Sequence, residues 1–195
     1  MSQKRVAKMK PLTVAQRAKA VELMVFDVDG VLTDGGLYYG VHGEMQKRFD
    51  VKDGHGLVMA RLTKLPAAVL TARVSDIVAI RGRELGLAAV VQGKKFKGPA
   101  FLELCQSMGF DPSHVSYMGD DVNDLPALAH AGLRLCPADA KPEVRKHCHL
   151  VTKAKGGHGA AREAIELVLK AKGLWEQALA AMNPPEVGAF RVSGT

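Results

Sequence analysis

Aromatic residues are scarce in this 195-residue chain, at 5%, and Trp175 is its single tryptophan. A surface that stacks unpaired bases needs interleaved aromatics, so a nucleic-acid partner has little support here. Cysteine is scarcer still. Cys105, Cys136 and Cys148 are an odd number with no Cys-x-x-Cys pair, which argues against a disulfide framework and a structural zinc site. The run His147-Cys148-His149 looks metal-like, but neighbours along a strand point to opposite faces and do not converge on one ion. Reduced thiols suit the cytosol, so a cytoplasmic location is expected. Long apolar runs are missing too: none approaches the ~18 residues that suggest a membrane span. No signal-peptide core follows Lys4, Arg5, Lys8, Lys10, Arg17 and Lys19 at the N-terminus. No membrane partner is expected.

Acidic residues are outnumbered, 20 against 27 Lys+Arg, for a net charge of +7. That favours an anionic partner without saying which. The 47% hydrophobic and 24% charged content is that of an ordinary globular protein. The expected organisation is a basic arm with a short helix over 1–22, one main domain over 23–182, and a loose tail over 183–195 that holds Pro184 and Pro185.

Thr13 is placed to cap a helix running to about Leu23. Leu23 to Phe26 is a short apolar run closed by turn residues and reads as a buried parallel strand. Residues 35–40 and 44–49 flank His42-Gly43 as a β-hairpin. Helices and strands then alternate. Helices are expected at Gly54 to Thr63, Ser75 to Leu85 (with Ile77 and Ile80 marking its face), Pro99 to Met108, Asp124 to Ala131, Pro142 to Lys146, Gly159 to Lys170 and Leu174 to Ala181. Strands are expected at Ala67 to Leu70, Ala88 to Val91, Val115 to Met118, Leu133 to Cys136 and His149 to Val151. This is the pattern of an α/β fold with a doubly wound, Rossmann-like parallel sheet and a protruding hairpin.

Ligands of such sheets bind beyond the carboxyl ends of the strands. Asp27 and Asp29 follow the first strand, Thr71 and Arg73 the second, and Lys97 lies shortly after the third. Gly119, Asp120, Asp121 and Asp124 follow the fourth. An isolated Asp-x-Asp-Gly is often a turn, and Asp-Asp before a helix is often a cap. Together, however, carboxylates that need a hard cation, a lysine and a hydroxyl describe a Mg²⁺-dependent phosphoryl-transfer site.

The run Asp27 to Asp34 resembles the first motif of the haloacid dehalogenase superfamily. Thr71, Lys97 and Gly119-Asp120-Asp121 match its other motifs in order, and the similarity spans about Leu23 to Leu169. The resemblance implies that Asp27 is the nucleophile and Asp29 the general acid and base, with Thr71 and Lys97 on the phosphoryl oxygens. It further implies Mg²⁺ on the Asp27 carboxylate, the Asp29 backbone carbonyl and the Asp120 carboxylate, with Asp121 and Asp124 acting behind these ligands or through water. Members commonly insert a cap domain, but neither window here, Asp34 to Thr71 or Thr71 to Gly119, has room for one.

Thr33-Asp34-Gly35, the hairpin, Phe49 to Gly54 and Gly156 to Glu163 are similar to a narrower family, the 3-deoxy-D-manno-octulosonate 8-phosphate phosphatases. That similarity implies a capless homotetramer with central hairpins, acting on a phosphorylated sugar acid in lipopolysaccharide precursor synthesis. It places Asp29, Asp50, Val51, Lys52, Asp53, Gly54, Arg73, Arg81 and Lys97 at the substrate. The apolar Leu37, Tyr38, Tyr39 and Val41 then belong to a subunit contact, the other reading being that they pack onto their own domain. Val58, Ala72 and His158 depart from the family pattern, so a nine-carbon sugar-acid 9-phosphate stays open as substrate. Gly156 to Gly159 reads either as a tight turn or as a bare helix N-terminus for an anion. Two other classes are weighed. A nucleic-acid end phosphatase would use the positive charge and the open site. A phosphate-storing regulatory domain would lack a hydrolytic base such as Asp29.

Overall fold

The computed structural model describes residues 11–182; Lys4, Arg5, Lys8, Lys10 and the tail expected from Asn183 lie outside that range. Thr13 caps α1 (Val14–Ala20) through a reciprocal bond with Gln16. The helix is no detached arm: Ala18 is buried in the core beside the last long helix.

Six strands build the sheet: β1 (Leu23–Phe26), β4 (Ala67–Leu70), β5 (Ala89–Val91), β6 (Val115–Met118), β7 (Leu133–Cys136) and β8 (Leu150–Val151). Their order is β5-β4-β1-β6-β7-β8 and every pairing is parallel. The chain runs outward from β1 through β4 to β5, then returns to β6 on the other side of β1. The loops after β1 and β6 therefore diverge, and a crevice opens at that switch point.

Alternation along the strands divides the core. Met24, Phe26, Val69 and Met118 point to one face, under α1, α2 (Val51–Leu62), α3 (Asp76–Leu85), α7 (Ala160–Ala171) and α8 (Trp175–Met182). Leu23, Val25, Leu70 and Tyr117 point to the other, under α4 (Lys97–Met108), α5 (Leu125–His130) and α6 (Pro142–Arg145). Both faces are covered, which is why these strands are predominantly apolar, with Ser116 in β6 and Arg134 in β7 as the polar exceptions. The antiparallel hairpin β2 (Tyr38–Gly40) and β3 (Gly43–Gln46) forms a separate sheet. Between residues 34 and 119 stand only this hairpin, α2, β4, α3, β5, α4, a 3-10 turn at Pro112–His114 and β6, so there is no cap domain.

Several boundaries differ from expectation for local reasons. The Asp50 side chain accepts the Lys52 N–H and starts α2 at Val51, three residues before Gly54. In α3 the buried residues are Val78, Gly82 and Leu85, whereas Ile80 is 49% exposed. The stripe through Ile77 and Ile80 is thus not the core face. Helix α4 begins at Lys97 rather than Pro99, and a 3-10 turn at Val122–Asp124 precedes α5. All three cysteines are free thiols. His149 is occupied by Arg134, whose backbone N–H bonds to its Nδ1 at 3.1 Å. No described helix is long and apolar enough to cross a membrane.

Candidate active site

The strand ends deliver their groups to one cavity of about 320 Å³, lined by Asp27, Asp29, Thr71, Arg73, Lys97 and Asp120 among others. Asp27 is the first residue past β1, its N–H still bonded to the Met118 carbonyl at 2.9 Å. Thr71 is the first past β4, and its N–H bonds to the Val91 carbonyl at 2.9 Å. The ladder thus fixes the backbone on which each side chain stands.

Lys97 is the hub. Its ammonium is 2.6 Å from Asp27 Oδ2 and 2.6 Å from Asp124 Oδ1, with its side chain 1% exposed. Asp124 has no free capacity. Its Oδ1 also accepts the Tyr117 hydroxyl at 2.7 Å, and its Oδ2 accepts the Asp120 and Asp121 N–H groups at 2.9 and 3.2 Å. It fixes its neighbours and has no lone pair to spare for anything else.

Asp27, Asp120 and Asp124 bring carboxylate oxygens within 4.8 Å of one another. Burial, then the charge of Asp124, pushes the Asp27 carboxyl from 3.8 up to about 7, and Lys97 offsets only part of this. Burial and the same crowded carboxylates lift Asp120 to about 7. Burial alone would lower the Lys97 ammonium, but Asp27 and Asp124 outweigh it and raise its proton affinity. Asp27 Oδ1 is buried with no hydrogen-bond partner among the described residues. Buried carboxylates short of positive charge, with an unpartnered oxygen between them, fit a hard divalent cation.

Asp29 stands apart from that cluster. Its side chain is paired with Lys47, and its Oδ2 is 3.8 Å from Arg73 Nε. Glycine at 30 is required here: φ is +83°, and a Cβ would lie 2.1 Å from Asp120 Oδ2.

Not all expected substrate residues reach this cavity. Asp50, Asp53, Gly54 and Arg81 line a different, narrow cavity of about 20 Å³ between α2 and α3. Val51 and Lys52 are exposed on the first turn of α2. Asp53 is 2% exposed and accepts the Gly159 and Arg162 N–H groups at 3.1 and 2.7 Å. It caps α7, so of the two readings of Gly156 to Gly159 the bare, anion-binding helix N-terminus does not hold. Gly156 and Gly157 are present for close packing. A Cβ on Gly156 would lie 1.8 Å from the Gly30 carbonyl, and one on Gly157 would lie 2.3 Å from the Asp34 N. This loop buttresses the one that carries Asp27 and Asp29. Gly156→Ala is therefore expected to cost about 2–3 kcal/mol by overpacking, measured by urea unfolding, and to lower turnover. An unchanged midpoint would contradict that packing.

Sequence reasoning missed Lys47, Glu44 and Tyr117. Tyr117 reads as an apolar strand residue, and Lys47 and Glu44 as solvated hairpin charges. Nothing local signals that all three are drawn inward.

Comparison with known proteins agrees with this geometry. A family model for haloacid dehalogenase-like hydrolases matches residues 62–163. The 3-deoxy-D-manno-octulosonate 8-phosphate phosphatase of Yersinia pestis is 39% identical over 159 residues, covering 82% of this chain and 85% of the relative. The crystal structure of the Moraxella catarrhalis phosphatase of that name, in complex with magnesium, phosphate and the KDO molecule, superposes with a TM-score of 0.83 at 36% identity, over 87% of this chain and 97% of that one. The cobalt-bound Haemophilus influenzae phosphatase gives 0.81 at 36% identity, over 84% and 99%. The chain belongs to the haloacid dehalogenase-like hydrolases, on the branch that carries the 3-deoxy-D-manno-octulosonate 8-phosphate phosphatases.

Proposed function

We propose that the chain is a Mg²⁺-dependent phosphatase that releases phosphate from 3-deoxy-D-manno-octulosonate 8-phosphate in lipopolysaccharide precursor synthesis. The observation that carries the reading is the Asp27 carboxylate: buried at the cavity, one oxygen on Lys97 and the other without a partner.

Asp27 attacks phosphorus, and a bond forms to its oxygen as the bond to the sugar oxygen breaks. Asp29 gives its proton to the departing oxygen. It then takes one from the water that attacks the aspartyl-phosphate, which frees Asp27 and inorganic phosphate. Lys97 and Thr71 hold the phosphoryl oxygens. The Asp27 and Asp120 carboxylates and the Asp29 backbone carbonyl would hold Mg²⁺, which would offset repulsion between the attacking carboxylate and the phosphate dianion. Arg73, half-exposed at the rim, suits the planar substrate carboxylate.

The hairpin and the residue before it expose Leu37, Tyr38, Tyr39, Val41 and Met45, with Val41 96% exposed. An apolar patch of this kind supports a contact surface, and the family resemblance adds that the contact is that of a homotetramer closed over its hairpins. Asp50, Val51, Lys52 and Arg81 lie outside the cavity of their own chain, so a role at substrate is one played across a subunit boundary. A cytoplasmic enzyme is consistent with the free thiols.

The test is phosphate release with Mg²⁺ over a panel of sugar-acid phosphates, simple phosphomonoesters and a 5′-phosphorylated oligonucleotide. A kcat/KM for the eight-carbon substrate at least ~100-fold above the simple esters supports the reading, the gap expected where buried polar groups must be paired. Equal, weak activity on everything overturns the substrate class. The panel includes a nine-carbon sugar-acid 9-phosphate, because Val58, one of the departures from the family pattern, packs against the apolar core.

A further inference from the structure

The hairpin reaches the chemistry through one buried lysine. The Lys47 side chain, just past β3, is 1% exposed and paired with the Asp29 carboxylate and with Glu44 Oε1 at 3.0 Å. A buried ammonium is tolerated only when its partners are fixed, and here they are. Glu44 accepts the Ser75 hydroxyl. Ser75 is the cap of α3, and its N–H bonds to Gln92 Oε1 at 2.7 Å just beyond β5. On the other side Arg73 stands 3.8 Å from Asp29 Oδ2, and it bonds the Tyr39 hydroxyl and stacks over that ring at 5.7 Å. Both oxygens of Asp29 thus meet cations that the hairpin holds in place. A short unrestrained aspartate would instead be free to swing toward the Asp27, Asp120 and Asp124 cluster.

We propose that Lys47, anchored by Glu44, is a positioning residue that holds the Asp29 carboxylate outside the metal-binding cluster and aimed at the leaving-group oxygen. The hairpin is then a working part of its own chain's active site as well as a contact surface. The inference rests on the reading of Asp29 as general acid and base.

Two substrates separate the possibilities. A simple alkyl phosphate needs a proton on its leaving oxygen, whereas p-nitrophenyl phosphate releases a stable phenolate without one. The kcat/KM of each reports steps only through departure of that first product, and neither carries the sugar-acid carboxylate. With Mg²⁺ and the full chain, Lys47→Met is expected to lower kcat/KM about 10²-fold on the alkyl ester and less than about 5-fold on the nitrophenyl ester. Lys47→Arg is expected to recover part of the loss, and Glu44→Gln to show a weaker version of the same split. Combined with Asp29→Asn, Lys47→Met is expected to add almost nothing, because the residue it serves is already gone.

Equal losses on both esters, or full additivity with Asp29→Asn, overturn the role of Lys47. If Asp29→Asn itself shows no difference between the esters, it is the acid–base reading of Asp29 that fails. Should Lys47→Met not fold, judged by its melting curve, Glu44→Gln and Lys47→Arg carry the same ester comparison.

Discussion

Asp27→Asn is expected to abolish phosphate release, lowering kcat by at least about 10⁴-fold, the scale at which covalent nucleophiles fail. The amide keeps the shape of the carboxylate but is too weak a nucleophile to form the acyl phosphate. Lys97, Thr71 and Asp120 remain in place, so Mg²⁺-dependent binding of inorganic phosphate persists. Stability moves the other way. Burial and Asp124 lift the Asp27 carboxyl to about 7 despite Lys97, so its ionised form is a net cost to the fold. The neutral amide removes that cost, and the metal-free variant is expected to melt higher than the parent at pH 8. Loss of turnover with gain of stability marks a functional residue held against its own preference. Near-normal turnover, or a lower melting point at pH 8, would count against this assignment.

Lys97→Met has the second-largest effect and the opposite sign for stability. Among the described residues the lysine is the one cation that directly contacts Asp27 and Asp124. Removing it leaves buried carboxylates unpaired, which is expected to cost about 3–5 kcal/mol in urea unfolding of the metal-free protein. Turnover is expected to fall at least about 10³-fold, since a phosphoryl-binding donor is lost and Asp27 is driven further toward its protonated form. The pH dependence follows from Asp27 and Asp120, both raised from 3.8 to about 7. A carboxyl raised on folding contributes stability below pH 4 that is lost as pH climbs through 7. Without Lys97 these carboxyls hold their protons to higher pH still, so the deficit of the variant is expected to widen above pH 7, where those of the parent ionise, and Mg²⁺ to recover more of it at pH 8 than at pH 5.5. A variant as stable as the parent at both values would contradict the hub role of Lys97.

The sheet and the order of the site groups were legible because they are written locally. Leu23 to Phe26 and Ala67 to Leu70 are uninterrupted apolar runs, Val115 to Met118 and Leu133 to Cys136 are broken by Ser116 and Arg134 alone, and each strand matches its expected bounds. The groups just past these strands are gathered by topology, so a reading of strand ends finds them. Contacts between distant segments were not legible. Asp53 caps a helix whose N-terminus lies 106 residues away, and no spacing rule reaches that far. Gly156 and Gly157 were ambiguous for the same reason, since their constraint comes from Gly30 and Asp34. In α3 two stripes compete at helical spacing, and only docking onto the sheet selects Val78 over Ile77. Lys47 is the sharpest case: its burial is caused by partners on either side of it, Asp29 and Glu44, that meet only when the hairpin folds back.

The most direct test of the account is to trap the intermediate. Enzyme turning over a sugar-acid phosphate with Mg²⁺ would be acid-quenched, reduced with borohydride and mapped by peptide mass. The account predicts that the phosphorylated and reduced fraction lies at Asp27, and that none forms in Asp27→Asn. Steady turnover with residue 27 unmodified at every quench time, or with the adduct on another side chain, would contradict it.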